Sequence, residues 1–115
     1  IKQPYNINIA GEAAVLAALK HRSELLERAG SLITERVRLE KAIEKIDGIS
    51  YFPSAGNFLL TKFDRKTAEE AYVGLAQQGI FVRRFSQPVL HNSLRISAGT
   101  PEQTDRVIDA LISVV

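Results

Sequence analysis

The plainest pattern in the chain is the alternation in SLRISA, residues 93 to 98, where Leu94, Ile96 and Ala98 are apolar and Ser93, Arg95 and Ser97 are polar. A period of two sends the two sets to opposite faces of a strand. One face is therefore core, the other is polar, and Arg95 stands in the middle of the polar one. Directly afterwards a helix start is spelled out. Thr100 suits the cap, Pro101 suits the first helical position, and Gln103 completes a Thr-x-x-Gln capping box.

Elsewhere the period is helical. After a loop-like lead the chain becomes alanine-rich from about Ile9, with Asn8 as the expected cap, and helical character persists through Ile46. Glu24 and Arg28 stand at i,i+4 spacing, and Leu39, Ile43 and Ile46 form an apolar stripe. So long a stretch must break. Gly30 is the obvious local breaker, yet an interior glycine costs only about 1 kcal/mol relative to alanine, so the sequence leaves the break open.

Asp47-Gly48 stops the helix, and ISYFPSAGNFLLTKF then reads as extended chain. Pro53 and Gly56 interrupt it before a strand from Asn57 to Phe63. Thr67 with Glu70 makes a second capping box, opening a helix to Gln78 that Gly79 ends. IFVRRF, residues 80 to 85, is a further strand, and SQPVLHN is the loop leading to the strand of Arg95. This order predicts a small sheet covered by helices, α+β in class.

Composition narrows the function more by exclusion than by suggestion. The 115 residues are enough for one domain, and no repeat is visible. Fifteen basic against thirteen acidic side chains give a net charge of +2, too shallow an excess to suggest nucleic acid. No cysteine is present, so neither a disulfide framework nor a thiolate metal site is expected, which fits a reducing cytoplasm. The apolar runs are too short to span a bilayer. The chain begins at Ile1 and contains no methionine, so it reads as a piece of a longer protein.

Few residues stand out as chemistry. Arg83 and Arg95 lie on different predicted strands, and each can point to the side of the sheet that the helices leave uncovered. Two guanidiniums converging there would suit an anion, because the planar fork matches carboxylate or phosphate with paired hydrogen bonds. Pattern alone favours the plainer reading, in which each is a solvated strand residue paired with an exposed acid, because isolated surface arginines are common. Asn57 can reach a ligand from the strand's start or serve as a turn residue, and Tyr5 reads as a staple of the first loop rather than as a cleft residue. His21 and His91 lack metal-ligand spacing, so no metal is expected. Ser54 and Ser97 have no His/Asp arrangement, and no Gly-rich phosphate loop occurs.

Four stretches add a likeness. KQPYNIN, PSAGNFLL, GIFVRR and above all SLRISAGTPEQTDRVIDAL, in that order, resemble the carboxy-terminal portion of the histidinol-phosphate aminotransferase family, fold-type I enzymes dependent on pyridoxal phosphate. The resemblance implies that residues 1–115 form a single small domain with an antiparallel-type sheet. Residues 1–20 would be the link from a large cofactor-binding domain, with the active site in the cleft between the two. By the same resemblance Arg95 matches the arginine that binds the acidic group on the substrate's reacting carbon, a carboxylate in glutamate and the phosphate arm in histidinol phosphate. Arg83 matches a second, phosphate-associated arginine. Asn57 matches an asparagine that follows alanine in the family and glycine here, and no role is carried onto it.

The Schiff-base lysine, the partner of the cofactor's ring nitrogen and the phosphate cup lie in the family's large domain, and none of Lys2, Lys20, Lys41, Lys45, Lys62 and Lys66 matches the lysine's position. The resemblance thus implies a substrate-recognition domain, inactive alone, of a cytoplasmic homodimer. That enzyme would move an amino group between glutamate and imidazole-acetol phosphate, the pair that interconverts with 2-oxoglutarate and histidinol phosphate, in histidine biosynthesis. It would have neither nucleic-acid nor membrane partners. Within the same fold the alternatives are threonine-phosphate decarboxylase and aromatic aminotransferases. Outside it, the alternative is a stand-alone α+β module that binds a small acid.

Overall fold

The structure, a computed structural model, describes residues 7–115, which fall into two compact units with the boundary between Gly30 and Ser31. In the first unit, α1 (Ile9–Leu19) starts where Asn8 caps it, the side-chain oxygen accepting from the Gly11 amide at 2.7 Å. The long helical stretch breaks at Lys20–His21, not at Gly30. There the backbone bonds tighten to i−3, Lys20 N–H to Ala17 O and His21 N–H to Ala18 O. The second helix, α2 (Arg22–Ile43), then runs straight through Gly30. No breaker residue marks the joint, and Lys20 keeps right-handed helical dihedrals, so composition carried no sign of it. None of the residues of α1 is buried, and Val15, Leu16 and Leu19 are more than half exposed.

The second unit holds the sheet. β1 (Ile49–Phe52), β2 (Phe58–Phe63), β3 (Arg83–Arg84) and β4 (Ser93–Ser97) are all paired antiparallel in the order β1-β2-β4-β3. Between them come α3 (Ala68–Gln77) and, after β4, α4 (Pro101–Val114). The α+β class and the small antiparallel sheet are as expected, and the extended segment ahead of Pro53 supplies the fourth strand.

The register aligns Ile49 with Phe63, Leu59 with Ile96 and Thr61 with Leu94, so these residues share one face. That face is buried against Leu39 and Ile43 of α2, Ala71 and Leu75 of α3, and Ala110 and Leu111 of α4. The one polar side chain in the layer, Thr61, donates its hydroxyl hydrogen to Leu94 O at 3.0 Å, as a buried hydroxyl must.

Both capping boxes form in full. Thr67 accepts from the Glu70 amide while Glu70 accepts from the Thr67 amide, and Thr100 with Gln103 does the same. Arg38 ties α2 to the start of α4, bonding the Pro101 carbonyl at 2.7 Å, the Asp105 carboxylate and the buried Glu35. Those bonds from Arg38 hold the Glu35 carboxyl below the usual carboxylate range, although burial pushes the other way.

One expected strand shrinks. IFVRRF was expected to be extended from 80 to 85, but only Arg83 and Arg84 pair. Gly79, at φ +75°, closes α3 with a Schellman motif in which Gly79 N–H bonds Ala76 O and Ile80 N–H bonds Leu75 O. The start of the segment is thereby spent on the helix end. The loop 86–92 contains a 3₁₀ turn, Pro88–Leu90, and ends in Asn92. That side chain caps the Ala68 amide at 2.8 Å and donates to Phe63 O, joining β2, α3 and β4.

Candidate functional site

The register that buries Leu94 and Ile96 turns Arg95 outward. Its cross-strand partners are Leu60 on β2 and Arg83 on β3, and residues directly opposite each other in an antiparallel pair project to the same face. Arg84, one residue on, must then face the helices. There it pairs with Glu69 of α3 and lies 5.7 Å from the centre of the Tyr72 ring. The uncovered face carries Ser50 and Phe52 from β1, Phe58, Leu60 and Lys62 from β2, Ser93, Arg95 and Ser97 from β4, and Arg83 from β3. None of these strand residues is an acid.

The two arginines predicted as anion ligands are thus neighbours. Antiparallel geometry puts opposed Cβ atoms roughly 4.5–5.5 Å apart. Both line one cleft of about 270 Å³, together with Ile80, Phe81, Val82, Ile96, Ser97 and Val107. Neither has a carboxylate partner among the described residues, as is also true of Arg22 and Arg106, whereas Arg28, Arg36, Arg38, Arg65 and Arg84 each have one. The alternative of solvated arginines paired with exposed acids therefore lacks its acids. What Arg95 does have is an aromatic neighbour, its guanidinium carbon lying 5.0 Å from the Phe58 ring centre. Like charges placed directly opposite destabilise a strand pair. A bound anion would reverse the sign of that interaction.

The other singled-out residues do not join this cleft, with one exception. Asn57 is exposed, and its backbone carbonyl accepts from the Ala98 amide at 2.8 Å, closing the end of the β2–β4 ladder. Tyr5 lies outside the described residues. His21 faces Glu24 at 3.8 Å, and the His91 ring nitrogen Nδ1 lies 2.6 Å from Pro88 O. Among the described residues no three His, Cys, Asp or Glu side chains gather as a metal site would require. Ser54 accepts from the Gly56 amide within its own turn, while Ser97 lines the cleft beside Arg95. Phe58 was not singled out from sequence. Its place becomes visible only when β2 is set in register against β4, and that register is a tertiary fact.

Pyridoxal phosphate chemistry needs a lysine amine taken out of water to form a Schiff base. Lys20, Lys41, Lys45, Lys62 and Lys66 are all exposed, and Lys62, the one on the open face, stands 3.5 Å from Asp64. The described residues do not fit that cofactor. They supply charge for an anion and no amine placed to react.

The described site is a helix-backed antiparallel sheet that carries two arginines without acid partners on its open face. Residues 1–111 match the family described as aminotransferase class I and II, and the chain belongs to that family. Within it, the chain is 42% identical over 117 residues to the histidinol-phosphate aminotransferase of Roseiflexus castenholzii, covering 99% of this chain and 32% of that protein. The chain spans about a third of the length of the curated relatives it matches.

Among solved structures, the histidinol-phosphate aminotransferase of Clostridium acetobutylicum shares the fold with a TM-score of 0.81 at 24% identity, over 98% of this chain and 35% of its own. The Sinorhizobium meliloti enzyme of the same name, solved with pyridoxal-5'-phosphate, is 29% identical, with a TM-score of 0.75 over 90% of this chain and 29% of its own. No described helix is long and apolar enough to cross a membrane.

Proposed function

We propose that this chain is the carboxy-terminal substrate-recognition domain of a pyridoxal-phosphate-dependent aminotransferase that moves an amino group between histidinol phosphate and 2-oxoglutarate. The observation that carries the reading is the cross-strand pair Arg83–Arg95, without a carboxylate partner and lining one cleft. Arg95, central in the sheet, takes the acidic group on the reacting carbon with two parallel hydrogen bonds, fixing that carbon's orientation. This group is the α-carboxylate in glutamate and, at the end of the CH2–O arm that the carbon carries, the phosphate in histidinol phosphate. Arg83 adds a second guanidinium, of more use to phosphate, which has the larger charge and a third oxygen.

The cofactor supplies the electron sink for amino transfer and, on this reading, is held by parts of the enzyme beyond these residues. The names of the relatives support histidinol phosphate as a substrate, and the reading extends to 2-oxoglutarate as its partner and to a role in histidine biosynthesis, in a cytoplasmic homodimer. The test is to supply the complete protein with histidinol phosphate and 2-oxoglutarate and to measure glutamate formed. Glutamate should appear and depend on Arg95. Its absence, with the cofactor bound, would overturn the assignment.

A further inference from the structure

Phe58 sits beside Arg95 in a way that neither core packing nor the anion reading by itself requires. It starts β2 on the open face, is half-buried, and pairs in register with Ser97, while Arg95 pairs with Leu60. Ring and guanidinium are therefore diagonal neighbours across the β2–β4 ladder, a separation that an aromatic and a long side chain can bridge. Ser97, small and directly opposite Phe58, leaves the room in which the ring reaches Arg95.

An arginine on an open sheet face has a flexible stem, and here its cross-strand neighbour Arg83 repels it. A carboxylate partner would fix it but would also occupy the donors that an anion needs. An aromatic face holds the cation through the ring's quadrupole and leaves the N–H groups around the guanidinium edge free.

We propose that Phe58 is a positioning residue, whose ring holds the Arg95 guanidinium in place so that its fork stays open to a carboxylate or phosphate. The proposal rests on the anion-binding reading of Arg95. The probe is radiolabelled inorganic phosphate, measured by equilibrium dialysis against the complete, cofactor-loaded protein. Phe58→Leu should weaken binding roughly two- to fivefold, the size of a cation–π contact at a partly exposed site. Phe58→Tyr, which keeps the ring, should bind like the parent. In an Arg95→Gln background, where Arg83 alone remains, Phe58→Leu should change nothing, since the contact it removes is already gone.

A Phe58→Leu protein that binds phosphate as tightly as the parent overturns the proposal while leaving the anion site standing. Equal weakening by Phe58→Leu with and without Arg95 also overturns it, because the ring would then act through the fold. If the parent binds no phosphate, the anion site fails and the positioning role falls with it.

Discussion

The two faces of the sheet are made by the same strands and obey opposite rules. On the helix side Arg84 has Glu69 and Tyr72, Arg38 has Glu35 and Asp105, and the buried Thr61 hydroxyl has a carbonyl. On the open side Arg83 and Arg95 face each other, with a phenyl ring as the near partner of Arg95. Neighbours in sequence fall on different sides of this divide, Arg83 from Arg84 and Leu94 from Arg95. On the proposed reading the difference separates residues that hold the fold from residues that await a ligand, because like charges set directly opposite each other are arranged at some cost to the folded state.

The strongest way to break the comparison is at positions 94 and 95. In the complete enzyme Arg95→Ala should cost about 3 to 5 kcal/mol in kcat/KM, since a desolvated anion is left without its partner. That is roughly two to three and a half powers of ten, read by single-turnover kinetics of each half-reaction. Both half-reactions should suffer, Arg83→Ala should weigh more on the phosphate substrate, and Arg95→Lys should rescue only in part because it keeps charge but loses the fork. A change within about threefold in both half-reactions would return Arg95 to the class of ordinary surface arginines.

One residue earlier the loss should move from catalysis to folding. Leu94 is fully buried against the helices. Leu94→Ala should remove about 2 to 5 kcal/mol of stability through lost burial and the cavity left behind. Chemical denaturation measures it. A loss below about 1 kcal/mol would mean that the helix-side core closes over the gap, and that the division between faces is less sharp than the register implies.

How far this division could be read from sequence depends on its range. The period of two in SLRISA separated Leu94 and Ile96 from Arg95 without any structure, because side-chain alternation is a local property of a strand. Both capping boxes were legible for the same reason, since Thr and Gln or Glu three residues apart act within one helical turn. The break at Lys20–His21 was not legible, because no residue there disfavours helix. Nor was the short extent of β3, where the Gly79 cap takes up Ile80 before the strand can begin. The pairing of Arg83 with Arg95, and Phe58 beside it, needed the order β2-β4-β3, which no local pattern encodes. The likeness to the aminotransferase family pointed to the two arginines, but only the register put them opposite each other.

A smaller effect sharpens the helix side alone. Thr100 satisfies the Gln103 amide at the start of α4, so Thr100→Ala should lower stability by about 1 kcal/mol. The denaturation midpoint should fall with the denaturant slope unchanged. An unchanged midpoint would mean that the box carries no net weight, with water serving the freed amide equally well.

The smallest effect is the most specific to the comparison, because it asks two adjacent arginines for changes of opposite sign. Arg84 makes a partly exposed ion pair with Glu69 and a contact with Tyr72, so Arg84→Ala should cost about 0.5 to 1 kcal/mol of stability. Arg83 has a like charge directly opposite and no acid beside it. Arg83→Ala should therefore stabilise the ligand-free protein by a few tenths of a kcal/mol, the reverse of the usual surface truncation. Salt tests the cause, since raising ionic strength screens exposed charges and should shrink both differences toward zero. Adding phosphate should instead turn the Arg83 result round, because the parent gains a bound anion that the variant holds less well. Two variants that lose stability equally, with no response to phosphate, would show that the open face is held by the same kind of contacts as the covered one.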